Sequence, residues 1–166
     1  MFFKNKNEKI LSEAINKNYA VIHFKPDGTV IKANEIFLKT MGYSLEEVVG
    51  KHHSMFCEEK FTKTQEYKDG WNDLRAGKTL TAEFQRVKKD KSLIFLRASY
   101  MPVIENGKVL EVIKLAQDIT KNRLKNLFFI GQVKAINKSN AVIEFDMNGN
   151  ILNANDNFLN TLGYKK

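Results

Sequence analysis

The 166-residue chain holds one cysteine, one tryptophan and two prolines. A lone cysteine cannot staple a fold, so a reducing, cytoplasmic setting is expected. Apolar runs are short, such as LFFI at Leu127–Ile130, far below the ~18 residues of a membrane span. The opening MFFKNKNEKI lacks the apolar core and cleavage site of a secretory leader. There is no arginine-rich helix and no basic tract interleaved with aromatics. The 27 Lys and Arg residues outnumber 19 Asp and Glu but are scattered, so the formal charge of +8 reads as a solvated surface, without nucleic acid as a partner. The remaining composition, 43 % hydrophobic and 28 % charged, suits a packed core.

An internal repeat sets the organisation. AINKNYAVIHFKPDGTVIKANEIFLKTMGY (residues 14–43) returns as AINKSNAVIEFDMNGNILNANDNFLNTLGY (residues 135–164), with 16 of 30 positions identical. A spacing of 121 residues means tandem domains, not solenoid repeats. The expected division is an N-terminal helix (1–17), a first domain (18–120), a connector helix (121–137) and the truncated start of a second domain (138–166). The connector has no Pro or Ser/Gly run, so it should be stiff.

Within the first domain, YAVIHF alternates as a strand, KPDG is a turn and TVIKA returns as the second strand of a hairpin. Asn34 stands at a helix N-cap position, with Ile36, Phe37 and Met41 at helical spacing behind it. Ser44 to Glu47 fits a capping box. TKTQ (residues 62–65) reads as a further box-like start, after which Tyr67, Trp71 and Leu74 share one helical face and Gly77 stops the helix. Three strand-like runs follow, residues 79–87, 92–104 and 108–120, separated by turns at KKDK and ENGK. The order predicts an α+β domain with a five-stranded antiparallel sheet and short helices on one side. Ile10, Leu11, Ala14 and Ile15 form one apolar stripe, and Leu124, Leu127, Phe128 and Val133 another. Either stripe suits pairing with a second copy or packing back on the sheet, and a homodimer is the expectation.

GYSLEEVVGKHHSMFC (residues 42–57) gathers two of the three histidines with the cysteine. Adjacent His52 and His53 point about 100° apart on a helix and to opposite faces on a strand, so a shared metal is disfavoured. Cys57 and His53 at i and i−4 can meet, yet no oxyanion loop or orienting third residue accompanies them, and no enzyme is expected.

The chain resembles the PAS sensory domain. The resemblance rests on DGTVIKANEIFLKTMGYSLEEVVGK (residues 27–51), KDGWNDLRAGK (residues 68–78), the strands after it and the closing DIT (residues 118–120). GYSLEEVVGKHHSMF followed by Trp71 is similar to the PAS modules of aerotaxis-type and biofilm-dispersal-type chemoreceptors. That resemblance implies a small-molecule or prosthetic-group ligand between sheet and helices, and a downstream signalling domain in a longer chain. It implies a sensor for ligand, gas or redox state, with a ligand-free dimerisation module as the alternative. His53 is either a hydrogen-bonded structural histidine or an axial ligand to haem b, with His52 as the less favoured ligand and Met55 and Phe56 as apolar wall. FAD is second, because flavin-binding relatives carry a histidine and a tryptophan matching His53 and Trp71. They continue, however, with a second tryptophan and an Asn-Arg-Arg-Lys run where this chain has Leu80 and QRVKKD. A cysteinyl-flavin photosensor is disfavoured, since His53 stands where its cysteine would. Asp118 and Thr120, at the exit of the last strand, are the expected signalling residues.

Overall fold

The computed structural model describes residues 2–164. Met1, Lys165 and Lys166, which fall in the first and last expected segments, lie outside the described residues. The chain divides into two units, Met1–Thr120 and Lys121–Lys166.

The first unit opens with helix α1 (Phe2–Asn18) and the hairpin β1 (Ala20–Phe24) and β2 (Val30–Ala33). In the KPDG turn Gly28 has φ +91°, and a Cβ there would stand 2.6 Å from His52 Nε2, so both conformation and space require glycine. Asn34 then ties three elements together. Its Oδ1 accepts from Val21 N (3.0 Å) and Phe37 N (2.9 Å), while Nδ2 donates to Tyr19 O (2.8 Å) and Asn16 O (3.1 Å). It caps helix α2 (Glu35–Met41), and the capping box at Ser44 starts α3 (Leu45–Val48).

A 3-10 turn (His53–Phe56) and a short helix α4 (Glu59–Thr62) precede α5 (Gln65–Arg75). The cap of α5 is Thr64, two residues later than TKTQ suggests. Thr64 Oγ1 accepts from Tyr67 N, whereas the Thr62 hydroxyl donates back to Glu59 O and closes α4. Strands β3 (Leu80–Val87), β4 (Leu93–Glu105) and β5 (Lys108–Asp118) complete an antiparallel sheet of order β2-β1-β5-β4-β3. β5 ends two residues before the expected boundary, because Thr120 already begins helix α6 (Thr120–Ser139).

Strand alternation puts Ile22 and Phe24, Leu96, Ala98 and Tyr100, and Val112 and Ala116 on one face of this sheet. Phe37 and Met41 of α2, Val48 of α3, Phe56, and Trp71 and Leu74 of α5 cover it. Each fully buried side chain of this kind stabilises the fold by roughly 1.5–3 kcal/mol. The helices therefore gather on one side of the sheet, as the sequence predicts.

The second unit contains β6 (Ile143–Phe145), β7 (Ile151–Ala154) and α7 (Asp156–Leu162), with the two strands forming their own sheet. Among the described residues no helix is long and apolar enough to cross a membrane.

Candidate functional site

The two adjacent histidines have separate environments. His52 is exposed and caps the 3-10 turn: its Nδ1 accepts from Ser54 N, and its Nε2 lies 2.9 Å from Asp27 O. It clamps the hairpin turn to the helical layer. His53 is buried, with Nδ1 3.0 Å from the Tyr67 hydroxyl and Nε2 3.0 Å from the Tyr100 hydroxyl. Phe24 and Trp71 pack edge-on against its ring at 5.4 Å each. Burial first, then the charges of Arg86 and Lys114, hold His53 well below the ordinary imidazole pKa, so it is neutral. Burial also pushes the Tyr67 phenol up to about 12 and raises the Cys57 thiol.

The sheet face beneath carries two cations. Arg86 ends the inward row Leu80, Ala82, Phe84, Arg86 of β3, and Lys114 stands between Val112 and Ala116 on β5, directly opposite Tyr100. Both are at least 96 % buried, at 4 % and 2 % exposure. Arg86 Nη1 donates to Gln85 O (2.7 Å) and Nη2 to the Tyr100 hydroxyl (3.3 Å). Its guanidinium lies 4.7 Å from the Phe84 ring and 5.7 Å from the Phe61 ring. Lys114 Nζ sits 4.9 Å from the Tyr100 ring. Burial lowers the Lys114 pKa. For Tyr100 burial acts upward, but Lys114 and Arg86 outweigh it and draw the phenol below its ordinary value.

Between α5 and β3–β4 lies a cleft of about 370 Å³. His53, Trp71, Phe84, Arg86 and Tyr100 line it, and Glu66, Asp69 and Asp73 of α5 stand among its lining residues as exposed side chains. The volume is at the small end of the ~300–1,000 Å³ of small-molecule sites. A haem iron at His53 needs one imidazole nitrogen turned to open space, and both are engaged by tyrosine hydroxyls. The arrangement therefore does not fit haem unless Tyr100 or Tyr67 gives way, and a haem or an FAD would extend well beyond the cleft.

Of the residues singled out from sequence, His53 and Trp71 meet at the cleft. Phe56 lies behind them in the core, edge-on to Phe37 and Tyr43, and Met55 is half-buried against the same core. His52 faces a different, more open depression with Asp27 and Trp71. Asp118 and Thr120 do not line the cleft and are linked to each other: Asp118 Oδ1 accepts from Thr120 N (2.8 Å), and Thr120 Oγ1 accepts from Phe95 N (2.9 Å). Ile119 N donates to Phe95 O (2.9 Å), so the exit of β5 is pinned to β4. Tyr67, which the sequence puts on the helical face of Trp71 and Leu74, joins the site as a hydrogen-bond partner of His53. Arg86, Tyr100 and Lys114 enter it without a sequence expectation, although each is a charged or phenolic residue in phase with the apolar row of an alternating strand.

A five-stranded antiparallel sheet with its helical layer over a polar-floored cleft defines an α+β module with a recess of ligand size. The chain belongs to the PAS domain family, whose model matches residues 18–121 and 139–166. It is 36 % identical over 152 residues to the biofilm dispersion protein BdlA of Pseudomonas aeruginosa, covering 91 % of this chain and 36 % of that protein. It is 26 % identical over 80 residues to the aerotaxis receptor of Escherichia coli, covering 48 % of this chain and 16 % of the receptor. The chain thus spans about a third or less of the length of these relatives. A PAS domain structure from Colwellia psychrerythraea superposes with a TM-score of 0.59 at 20 % identity, over 68 % of this chain and 97 % of the other.

Proposed function

We propose that residues 18–120 form the sensing module of a cytoplasmic, chemoreceptor-type signalling protein. The cleft over His53 and Trp71 takes a small ligand, and its state passes through β5 to α6 and on to a downstream signalling domain. One observation carries this reading. β5 holds Lys114 on the inner face beside Tyr100, and a few residues on it leaves the sheet through Asp118, Ile119 and Thr120 straight into α6. A ligand that favours one arrangement of the sheet floor shifts the exit as well, provided its affinity differs between two states. In this reading His53 and Trp71 face the ligand, Met55 and Phe56 back His53, and Asp118 and Thr120 form the latch. Ile10 and Leu11 of α1 and Leu124, Leu127, Phe128 and Val133 of α6 are exposed and suit a homodimer.

The test is amide hydrogen exchange on the purified chain and on Ala82→Leu, which places bulk in the cleft. Altered protection at Phe95, Ile119 and the first turn of α6 is the expected result. Exchange there identical to wild type, with the cleft filled, overturns the relay and favours a ligand-free dimerisation module.

A further inference from the structure

Among the described residues of the first unit the buried charged side chains are Arg86 and Lys114, accompanied by neutral His53, and no carboxylate is buried with them. Two desolvated basic side chains without a buried carboxylate are costly, and native folds ordinarily pair such groups. Arg86 also has a specific deficit. Its Nε–H is buried with no hydrogen-bond partner, although both terminal nitrogens are engaged. A buried orphan donor of this kind has room for one further acceptor. Packing beside Phe84 and Phe61 fixes the guanidinium plane, and Arg86 lines the cleft. The Nε–H edge, with the second hydrogen on Nη2, is the fork that a planar carboxylate accepts in two parallel bonds.

We propose that the floor of this cleft is a carboxylate site built on Arg86, and that the ligand of the sensing module is a small monocarboxylate with an apolar or aromatic body. The assignment rests on the sensory reading above. Tyr100 lines the cleft and already accepts from Arg86, while Lys114, which does not line it, stands beside Tyr100 as the second basic group behind the carboxylate. Trp71, Phe61, Leu74 and Leu80 supply the wall for the apolar body. The exposed acids of α5 set selectivity. Asp73 pairs with Lys78 (2.8 Å) and Asp69 accepts from Gln65 (2.8 Å), while Glu66 completes an acidic rim. A second carboxylate would meet that rim, so dicarboxylates are disfavoured.

The test is calorimetric titration of the chain, freed of co-purifying small molecules, with phenylacetate, indole-3-acetate and 4-methylpentanoate. Each is compared with its neutral amide, and succinate serves as the dicarboxylate. At least one acid should bind one-to-one and exceed its own amide and succinate by about tenfold or more. Arg86→Gln should lose about tenfold or more of that affinity with its circular dichroism unchanged. Ala82→Leu, which keeps Arg86, should weaken the same acid by narrowing the cleft. Amides that bind as well as their acids, no binding by any of the three acids, or undiminished affinity in either variant overturns the site. Two further results separate this assignment from the relay. Binding with no change in exchange at Phe95 and Ile119 removes the relay and leaves the carboxylate site. A coloured haem or flavin seated in the cleft with altered exchange at Ile119 removes the carboxylate site and leaves the relay.

Discussion

The chain carries the same hairpin and helix twice, and the two copies differ in what surrounds them. Their local structures are nearly superimposable in kind. Gly28 N donates to Lys25 O and Lys25 N to Thr29 O; Gly149 N donates to Asp146 O and Asp146 N to Asn150 O. Asn155 repeats Asn34 bond for bond, accepting from Val142 N and Phe158 N and donating to Asn140 O. Both strands even bulge at one place, between His23 and Phe24 and between Glu144 and Phe145. Burial separates them. Phe24 and Met41 are 0 % exposed, whereas their counterparts Phe145 and Leu162 are both 54 % exposed. Turn and cap chemistry is local and forms wherever its residues occur, but the core and the cleft need the three strands β3–β5. Among the described residues only the first unit has them.

The largest expected contrast comes from the shared phenylalanine. Phe24→Ala should cost the first unit about 3–5 kcal/mol in urea denaturation, while Phe145→Ala should stay within about 1 kcal/mol. Equal losses would mean that the second copy has a core of its own.

Second in size is a pH effect confined to the first unit. His53 is neutral when folded, its pKa depressed by burial and by Arg86 and Lys114. The unfolded chain takes up a proton near pH 6.5 and the folded one does not. Stability is therefore complete above pH 6.5 and declines as pH falls below it, by at most about 1.4 kcal/mol per pH unit for this group. His23 is shifted in the same direction, by burial first and then by Lys32, so the comparison is His53→Gln against His23→Gln. The slope between pH 5 and 6.5 should flatten more in His53→Gln, measured by urea midpoints across that range. An unchanged slope would show that His53 is protonated in the fold.

Loss of the cap tests the common element itself. Asn34→Ala should destabilise by about 1–2 kcal/mol. Asn155→Ala should remove the protection of the Val142 and Phe158 amides with little change in the global midpoint.

The smallest effect concerns the two leading helices, each ending in AINK. Leu11→Asp on α1 or Phe128→Asp on α6 should weaken self-association several-fold in sedimentation, because such a dimer buries few side chains per copy against ~4–15 kcal/mol of lost freedom. A dimer unaffected by either substitution assigns the contact elsewhere.

These contrasts explain what the sequence made legible. The hairpin, the Asn34 cap, the capping box at Ser44 and the three later strands are encoded by residues within a few positions of each other. The start of α5 was misplaced because Thr62 and Thr64 are equally good caps locally, and only the turn closed by Glu59 O decides between them. The site was less legible because its bonds span long separations. His53 meets Tyr67 14 residues on and Tyr100 47 residues on. The HHSMFC segment displays His53 in the sequence but not the floor, where Arg86 and Lys114 interrupt apolar rows in phase. An inward cation on an alternating strand breaks the pattern a core requires, and that break was the available sign of a site.

Native-state hydrogen exchange tests most directly the claim that core and cleft come from β3–β5 and not from the duplicated hairpin, because it reads both copies in one molecule. The account predicts that the inward-paired amides of β1, β4 and β5 exchange only at the free energy of global unfolding, while those of residues 142–145 exchange through local opening, faster by orders of magnitude. Protection of residues 142–145 equal to that of β1 would contradict it.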